Sequence, residues 1–249
     1  MFEPSYPPTD APVIHKRAHD RLVALAEILL CSGVPTQVLI GGVLRLAGWA
    51  AEDANGNLLL PFVLTLSLAD TLVLIALMVA FTRLHGESAT ELWLGERRVR
   101  VEIAVGLMLV PVVFIGVVIL LNLLRIFLPW LHNVPQNPLE QLAGTAADAA
   151  MFALVAIVAG GVREELQRAF LLRRFERHLG GAWVGVLVLS VAFGLGHYAQ
   201  GWDAAITTGA LGAFWAIVYL RRRSSVAPVV SHAGFNSLEI LRVATLGGS

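Results

Sequence analysis

Charge is scarce in this sequence. Asp, Glu, Lys and Arg together make 14% of its 249 residues, against about 25% in ordinary soluble domains, while hydrophobic residues make 57%. A water-soluble fold of this length could bury a large core, but it would still need a polar shell, and there is too little here to build one. Basic and acidic residues cancel to a formal net charge of zero, so bulk attraction to nucleic acid is excluded as a basis for function. Cysteine is nearly absent: Cys31 stands alone, which excludes an intrachain disulfide framework and a multi-cysteine metal site. Lysine is nearly absent too, Lys16 being the one lysine beside seventeen arginines. Set against abundant Ala, Gly and Leu, that imbalance reads as the coding bias of a GC-rich bacterium. Internal repeats, low-complexity tracts and an appended soluble domain are also missing.

What the sequence has in quantity is long apolar runs. Stretches of about 18 residues or more, enough to cross the hydrocarbon core, fall at 22–50, 58–81, 103–128, 142–162, 182–198, 203–220 and 226–246. They lack the period-two alternation of barrel strands, so helices must satisfy their backbone in lipid. The expected fold is an all-α, polytopic transmembrane helical bundle of about seven spans. Pro35 removes a backbone donor inside the first run and predicts a kink at Ser32–Pro35, or a re-entrant pair in place of one span. Residues 1–13 are Pro-rich and carry Glu3 and Asp10. No small-residue cleavage pattern follows, so the first run is expected to stay on as an anchor.

Arginine placement orients the bundle. Lys16, Arg17 and Arg21 precede the first run, and Arg83, Arg97, Arg98 and Arg100 separate the second from the third. Arg163, Arg168, Arg173, Arg174 and Arg177 lie at or after the end of the fourth, and Arg221, Arg222 and Arg223 follow the sixth. The alternate connections 51–57, 132–141 and 199–202 contain no Lys or Arg. By the positive-inside rule the N-terminus is expected in the cytoplasm and the C-terminus outside. The chain then divides into a cytoplasmic tail (1–21), an N-terminal membrane half that includes the polar outer loop His132–Gln141 (22–141), and a C-terminal half (142–249) where the chemistry is concentrated.

An ionisable side chain at membrane depth costs at least about 2.5–3.5 kcal/mol on insertion scales, so each needs a reason. Glu164 and Glu165 form the only Glu-Glu pair in the chain, behind Gly160-Gly161, on what reads as one long helix from near Leu142 to near Gly180. Arg168 is within one turn of either. His197 closes FGLGH at 193–197, whose glycines allow another helix to approach closely. His232 and Asn236 in HAGFN are four apart and share a helix face. Singly, each has a plain structural explanation: a solvated helix end for the glutamates, an interfacial histidine beside Tyr198 and Trp202, and interhelical hydrogen-bond glue in the last run. Together they supply a carboxylate base, two imidazoles and an amide donor, the inventory for adding water to a carbonyl. Glu27, Asp70, Asn122, Asp148, Glu239 and Arg242 read as cavity lining or interhelical pairs, Asp70 and Asp148 most readily as structural bonds.

At these residues the sequence resembles the CPBP family of membrane proteases, which includes CAAX prenyl endopeptidases related to Rce1, bacteriocin-processing and self-immunity proteins, and "abortive infection" proteins. The family pattern is Glu-Glu-x-x-x-Arg, then Phe-x-x-x-His, then His-x-x-x-Asn or Asp. Here it is EELQR at 164–168, FGLGH at 193–197 and HAGFN at 232–236. The resemblance covers about 142–246. It implies a glutamate-dependent membrane endopeptidase with no obligatory metal: Glu164, helped by His197, deprotonates a water; His232 and Asn236 donate to the oxyanion; Arg168 holds the glutamate pair and favours its ionised form. The family arginine comes five residues after the first glutamate, whereas Arg168 comes four after Glu164. Anchored on the pair, Glu164 is the catalytic first glutamate; anchored on the arginine, it is the second and Arg163 takes the first place. Glu164 is the expected base, with Glu165 next in rank. The competing mechanism is a Glu-His-His zinc site, but the helical H-E-x-x-H signature is absent, and no cofactor is expected.

The expected setting is the bacterial cytoplasmic membrane, with the bilayer and a protein or peptide substrate, lipidated or not, as partners. The oligomeric state has no signature in the sequence. Two other readings remain open: a non-catalytic immunity or partner-binding protein of the same fold, and a proton-coupled transporter, for which intramembrane Glu and His would form the relay.

Overall fold

A computed structural model describes residues 11–246, with side chains from 18 to 245. Residues 1–10 of the expected tail and residues 247–249 lie outside the described residues. The elements are α1 (Ala11–Leu30), α2 (Val34–Leu46), α3 (Leu60–Leu84), a short α4 (Ala89–Trp93), α5 (Val99–Phe127), α6 (Ala146–Val155), α7 (Glu164–His178), α8 (Ala182–Gly196), α9 (Trp202–Arg222) and α10 (Val226–Leu246). A π-helical stretch, Ala156–Arg163, joins α6 to α7 without a break. Among the described residues there is no strand, only one isolated bridge between Glu52 and Leu58, so the all-α expectation holds.

Among the described residues, five helical stretches are long and apolar enough to cross a membrane: Ala18–Leu46, Leu60–Leu84, Val99–Phe127, Ala146–His178 and Trp202–Arg222. All seven expected runs fall on helices. However, α8 is a shorter apolar helix, and α10 carries Ser231, His232, Asn236, Ser237, Glu239 and Arg242 along its length. Polarity is inverted relative to a soluble protein. Leu107, Met108, Val112, Ile115 and Ile119 of α5 face outward, while Glu27, Asp70, Glu102, Glu165, Arg168, Arg174 and Asp203 are buried. Lipid rewards that arrangement, because buried polar groups there can pair only with one another. The chain is an integral membrane protein in its composition and in its burial pattern.

The first run is interrupted between Leu30 and Val34, where Gly33 adopts φ +88° and Pro35 opens α2, at the expected kink. The long helix expected through Glu164 and Glu165 is present and continues to His178, and the candidate span runs with it over Ala146–His178, past the run boundary at 162, beyond which the Arg and Glu content reads as solvated. Its charges are paired across helices instead. Arg174 bonds Glu27 of α1 and, at 2.8 Å, Glu87; Arg177 also reaches Glu87; His85 lies 2.5 Å from Glu27. At the same end Arg222 grips Glu102 through two 2.6 Å bonds, and Arg223 pairs with Glu176. At the opposite end, Asp203 takes hydrogen bonds from Arg125 and His132, and Asn133 and Asn137 hold the loop before α9 through Trp202 and Gln200. Asp148 lies at the start of α6, where its backbone N–H and carboxylate both bond Thr145, a helix cap and so a structural role.

Burial acts to raise the Glu87 carboxyl, but the hydrogen bond and charge of Arg174, with the charges of Arg177 and Arg173, outweigh it and hold the group below its ordinary range. A carboxyl whose folded-state value is depressed stabilises the fold above its unfolded value of about 4.3 and ceases to do so as pH falls through the folded value. Glu87→Gln is therefore expected to cost about 1.5–3 kcal/mol at neutral pH. Thermal unfolding in detergent should show the gap to the parent narrowing below about pH 4.

Candidate active site

The three motifs converge where α7, α8, α9 and α10 pack. Helix α7 folds back into α8 through Gly180 and Gly181, at φ +89° and +101°. Arg168 lies as far before that turn as Phe193 lies after it, so an antiparallel pair brings them level. The Arg168 guanidinium carbon sits 4.7 Å from the Phe193 ring centroid. Helix α9 returns tightly against α8: a Cβ on Gly194 would lie 2.5 Å from the Ala205 carbonyl oxygen, which only glycine permits. Helix α10 packs on the π-helical stretch, where a Cβ on Gly161 would lie 2.7 Å from that of Ala233. That contact sets His232, one residue before Ala233, against α7.

At the centre is Glu165, 2% exposed, with Arg168 at 5% and His232 at 4%. Arg168 donates through Nε to one carboxylate oxygen of Glu165 at 3.0 Å and through Nη2 to the other at 3.2 Å. His232 Nδ1 lies 2.9 Å from the second oxygen. Because Arg168 commits both oxygens as acceptors, the His232 nitrogen is the donor. Trp215 of α9 stacks on the His232 ring at 3.8 Å and 15°. It fixes the plane of that ring and keeps water from its face.

His197 lies just past the end of α8, at Gly196. Its Nδ1 donates to the Phe193 carbonyl at 2.8 Å, which leaves the Nε2 lone pair of the neutral ring available. The Phe193 ring meets the His197 ring at 4.8 Å and the His232 ring at 6.3 Å. The two histidines, from different helices, thus pack against one aromatic ring. Asn236, one turn beyond His232, donates to the Ala156 carbonyl at 3.3 Å; a Cβ on Gly160 would lie 2.6 Å from its amide nitrogen. The Gly160-Gly161 pair is thereby explained, one glycine admitting Asn236 and the other Ala233.

The two glutamates separate. Glu165, not Glu164, meets Arg168 and His232, and the Glu164 carboxylate instead faces Arg163, Nη2 at 3.4 Å. Adjacent residues on a helix point about 100° apart, so only one of the pair can face α10. Arg163 also approaches Gln167 at 3.4 Å and Asp70 of α3 at 3.7 Å. Among the described residues, no three His, Cys, Asp or Glu side chains converge as ligands for a metal ion.

Sequence reasoning missed Trp215, and it named Arg163 only as the alternative occupant of the first motif position, without its pairing to Glu164 and Asp70. For Trp215 one signal was present: it lies well inside an apolar run, whereas membrane tryptophans favour the interfaces. Residues 146–238 match the family model described as type II CAAX prenyl endopeptidase, Rce1-like. That segment holds all three motifs, so the family resemblance stands over it; proteins of this family are in general hydrolytic membrane endopeptidases. No curated protein and no solved structure matches the chain.

The Gly161 contact yields a test of this packing. Gly161→Ala is expected to lower the thermal midpoint in detergent, with partial recovery in the double variant Gly161→Ala/Ala233→Gly. Such coupling marks two residues in direct contact; simple additivity would contradict the close approach.

Proposed function

We propose that the chain is an intramembrane endopeptidase of CPBP type that hydrolyses a peptide bond with a water activated by Glu165 and His197. The observation that carries this reading is the buried Glu165–Arg168–His232 cluster, with two imidazoles sharing Phe193. Arg168 and His232 use three of the roughly four lone-pair positions of the carboxylate, leaving one for a water. Glu165 takes a proton from that water, which His197 Nε2 helps to orient, and the water oxygen attacks the scissile carbonyl carbon. His232, its Nδ1 turned to Glu165 and its plane fixed by Trp215, serves the developing oxyanion through Nε2 as a donor in its imidazolium form, and the Asn236 amide adds a second donor. Collapse of the tetrahedral intermediate expels the amine, which receives the proton from Glu165. The geometry favours Glu165 over Glu164 as the base.

The finer topology belongs to the same proposal: seven spans, the N-terminus in the cytoplasm, and residence in a bacterial cytoplasmic membrane. Arg97, Arg174, Arg177, Arg222 and Arg223 gather at one end of the bundle through contacts with neighbouring loops and helices, which supports a cytoplasmic assignment for that end. The substrate is a peptide or protein, lipidated or not.

The test uses the full chain in lipid nanodiscs with internally quenched peptides, one farnesylated and ending in a CAAX-type tail, one unlipidated. Cleavage is expected. His197→Ala should slow it about 10²–10⁴-fold with the thermal midpoint unchanged, since His197 lies at a helix end and is partly exposed. Glu164→Gln should retain far more activity than His197→Ala. Undiminished cleavage by His197→Ala, or no cleavage of either peptide, would overturn the reading.

A further inference from the structure

The N-terminal half lies outside the segment matched by the family, yet one of its residues reaches the arginine that faces Glu164. Asp70 of α3 is fully buried. It accepts a hydrogen bond from Thr36 and one of 3.2 Å from Gln37, both on α2 just past the break at Gly33. Its third neighbour is Arg163, at 3.7 Å. Arg163 is 8% exposed and belongs to the π-helical stretch, whose wider turns sit immediately before Glu164. Gln167 is held in the α1–α2 break by a 2.6 Å bond to the Cys31 carbonyl and turns its amide oxygen to Arg163. The remaining partner of Arg163 is Glu164, and among the described residues Arg163 is the one polar contact of that carboxylate. Each glutamate therefore has its own arginine: Arg168 for Glu165, Arg163 for Glu164.

We propose that Asp70 is a positioning residue: through Arg163 it draws the Glu164 carboxylate away from the Glu165–His232 pair, so that a single carboxylate serves the site. The need is electrostatic. Two carboxylates sharing one dry site cannot both stay ionised, and a base that shares its proton with a neighbour is lost to the reaction. Asp70 also explains how the break in the first run, with Thr36 and Gln37 behind it, bears on chemistry carried by α7. The inference rests on the protease reading above, and its test separates the two.

The full chain in nanodiscs is labelled with a hydrophobic carbodiimide, and modification at Glu164 and Glu165 is read separately by mass spectrometry. With Asp70→Asn, labelling of Glu164 relative to Glu165 is expected to rise several-fold, and Asp70→Glu should restore the parent ratio. This arm needs no turnover, so it stands if no peptide is cleaved. Where the quenched peptides are cleaved, Asp70→Asn should lower kcat roughly tenfold, within what a displaced reacting group costs, with KM unchanged. If Asp70→Asn fails to fold, Asp70→Asn/Arg163→Gln removes both charges and leaves neither buried alone; the same rise at Glu164 is expected. An unchanged Glu164 labelling ratio in a folded variant, or loss of thermal stability with kcat intact, overturns the proposal and makes Asp70 a packing residue.

Discussion

A carboxylate inside a membrane bundle must be matched by charge or by donors, and Glu165 is matched by both. Arg168 supplies the compensating charge from its own helix, and His232 supplies a donor from α10. Breaking a buried pair of this kind is costly because it strands a charge, so the position of α10 against α7 is tied to the chemistry. Other features fall in behind this pairing. Gly161 lets α10 approach, Trp215 fixes the imidazole plane, and Phe193 lies beneath the guanidinium and beside both histidines. The same contacts that close the bundle thus define the site.

Charge pairing also accounts for the long polar extension of α7. Arg168, Arg174 and Arg177 would be unsupportable on an isolated helix at membrane depth, but each finds a carboxylate on the same or another element. The N-terminal half supplies Glu27 and Glu87 at one level and Asp70 at another. It acts as a counter-charge scaffold along α7. Apolar α5 and α8 meanwhile turn their outer faces to lipid.

Much of this was legible in the sequence because it follows from local chemistry. Apolar runs gave the helices, and Gly33 with Pro35 gave the break in the first. The four-residue spacings of Phe193 and His197, and of His232 and Asn236, place each pair on one face. What was not legible depends on contacts distant in sequence. The helix through the glutamates was legible to its end near Gly180, but the pairing of its charges was not: Arg174 and Arg177 read as solvated until Glu27 and Glu87 are known to face them. The choice between the glutamates was also hidden. Spacing to Arg168 allows either, and the deciding facts are the π-helical turn before Glu164 and the arrival of Asp70 from α3, neither of which leaves a periodic signal.

The shortened spacing between the glutamate pair and the arginine can then be understood physically. Arg168 reaches Glu165 across three residues, which on a helix places the side chains on one face within a turn; the bidentate contact shows that the geometry suffices. Glu164, four residues from Arg168, is also within a turn, so spacing alone would leave two carboxylates competing for one guanidinium. Arg163 removes the competition by giving Glu164 a partner on the opposite side. A motif that looks one residue short therefore still delivers one arginine to one carboxylate, with the displaced charge taken up by α3 through the π-helical turn.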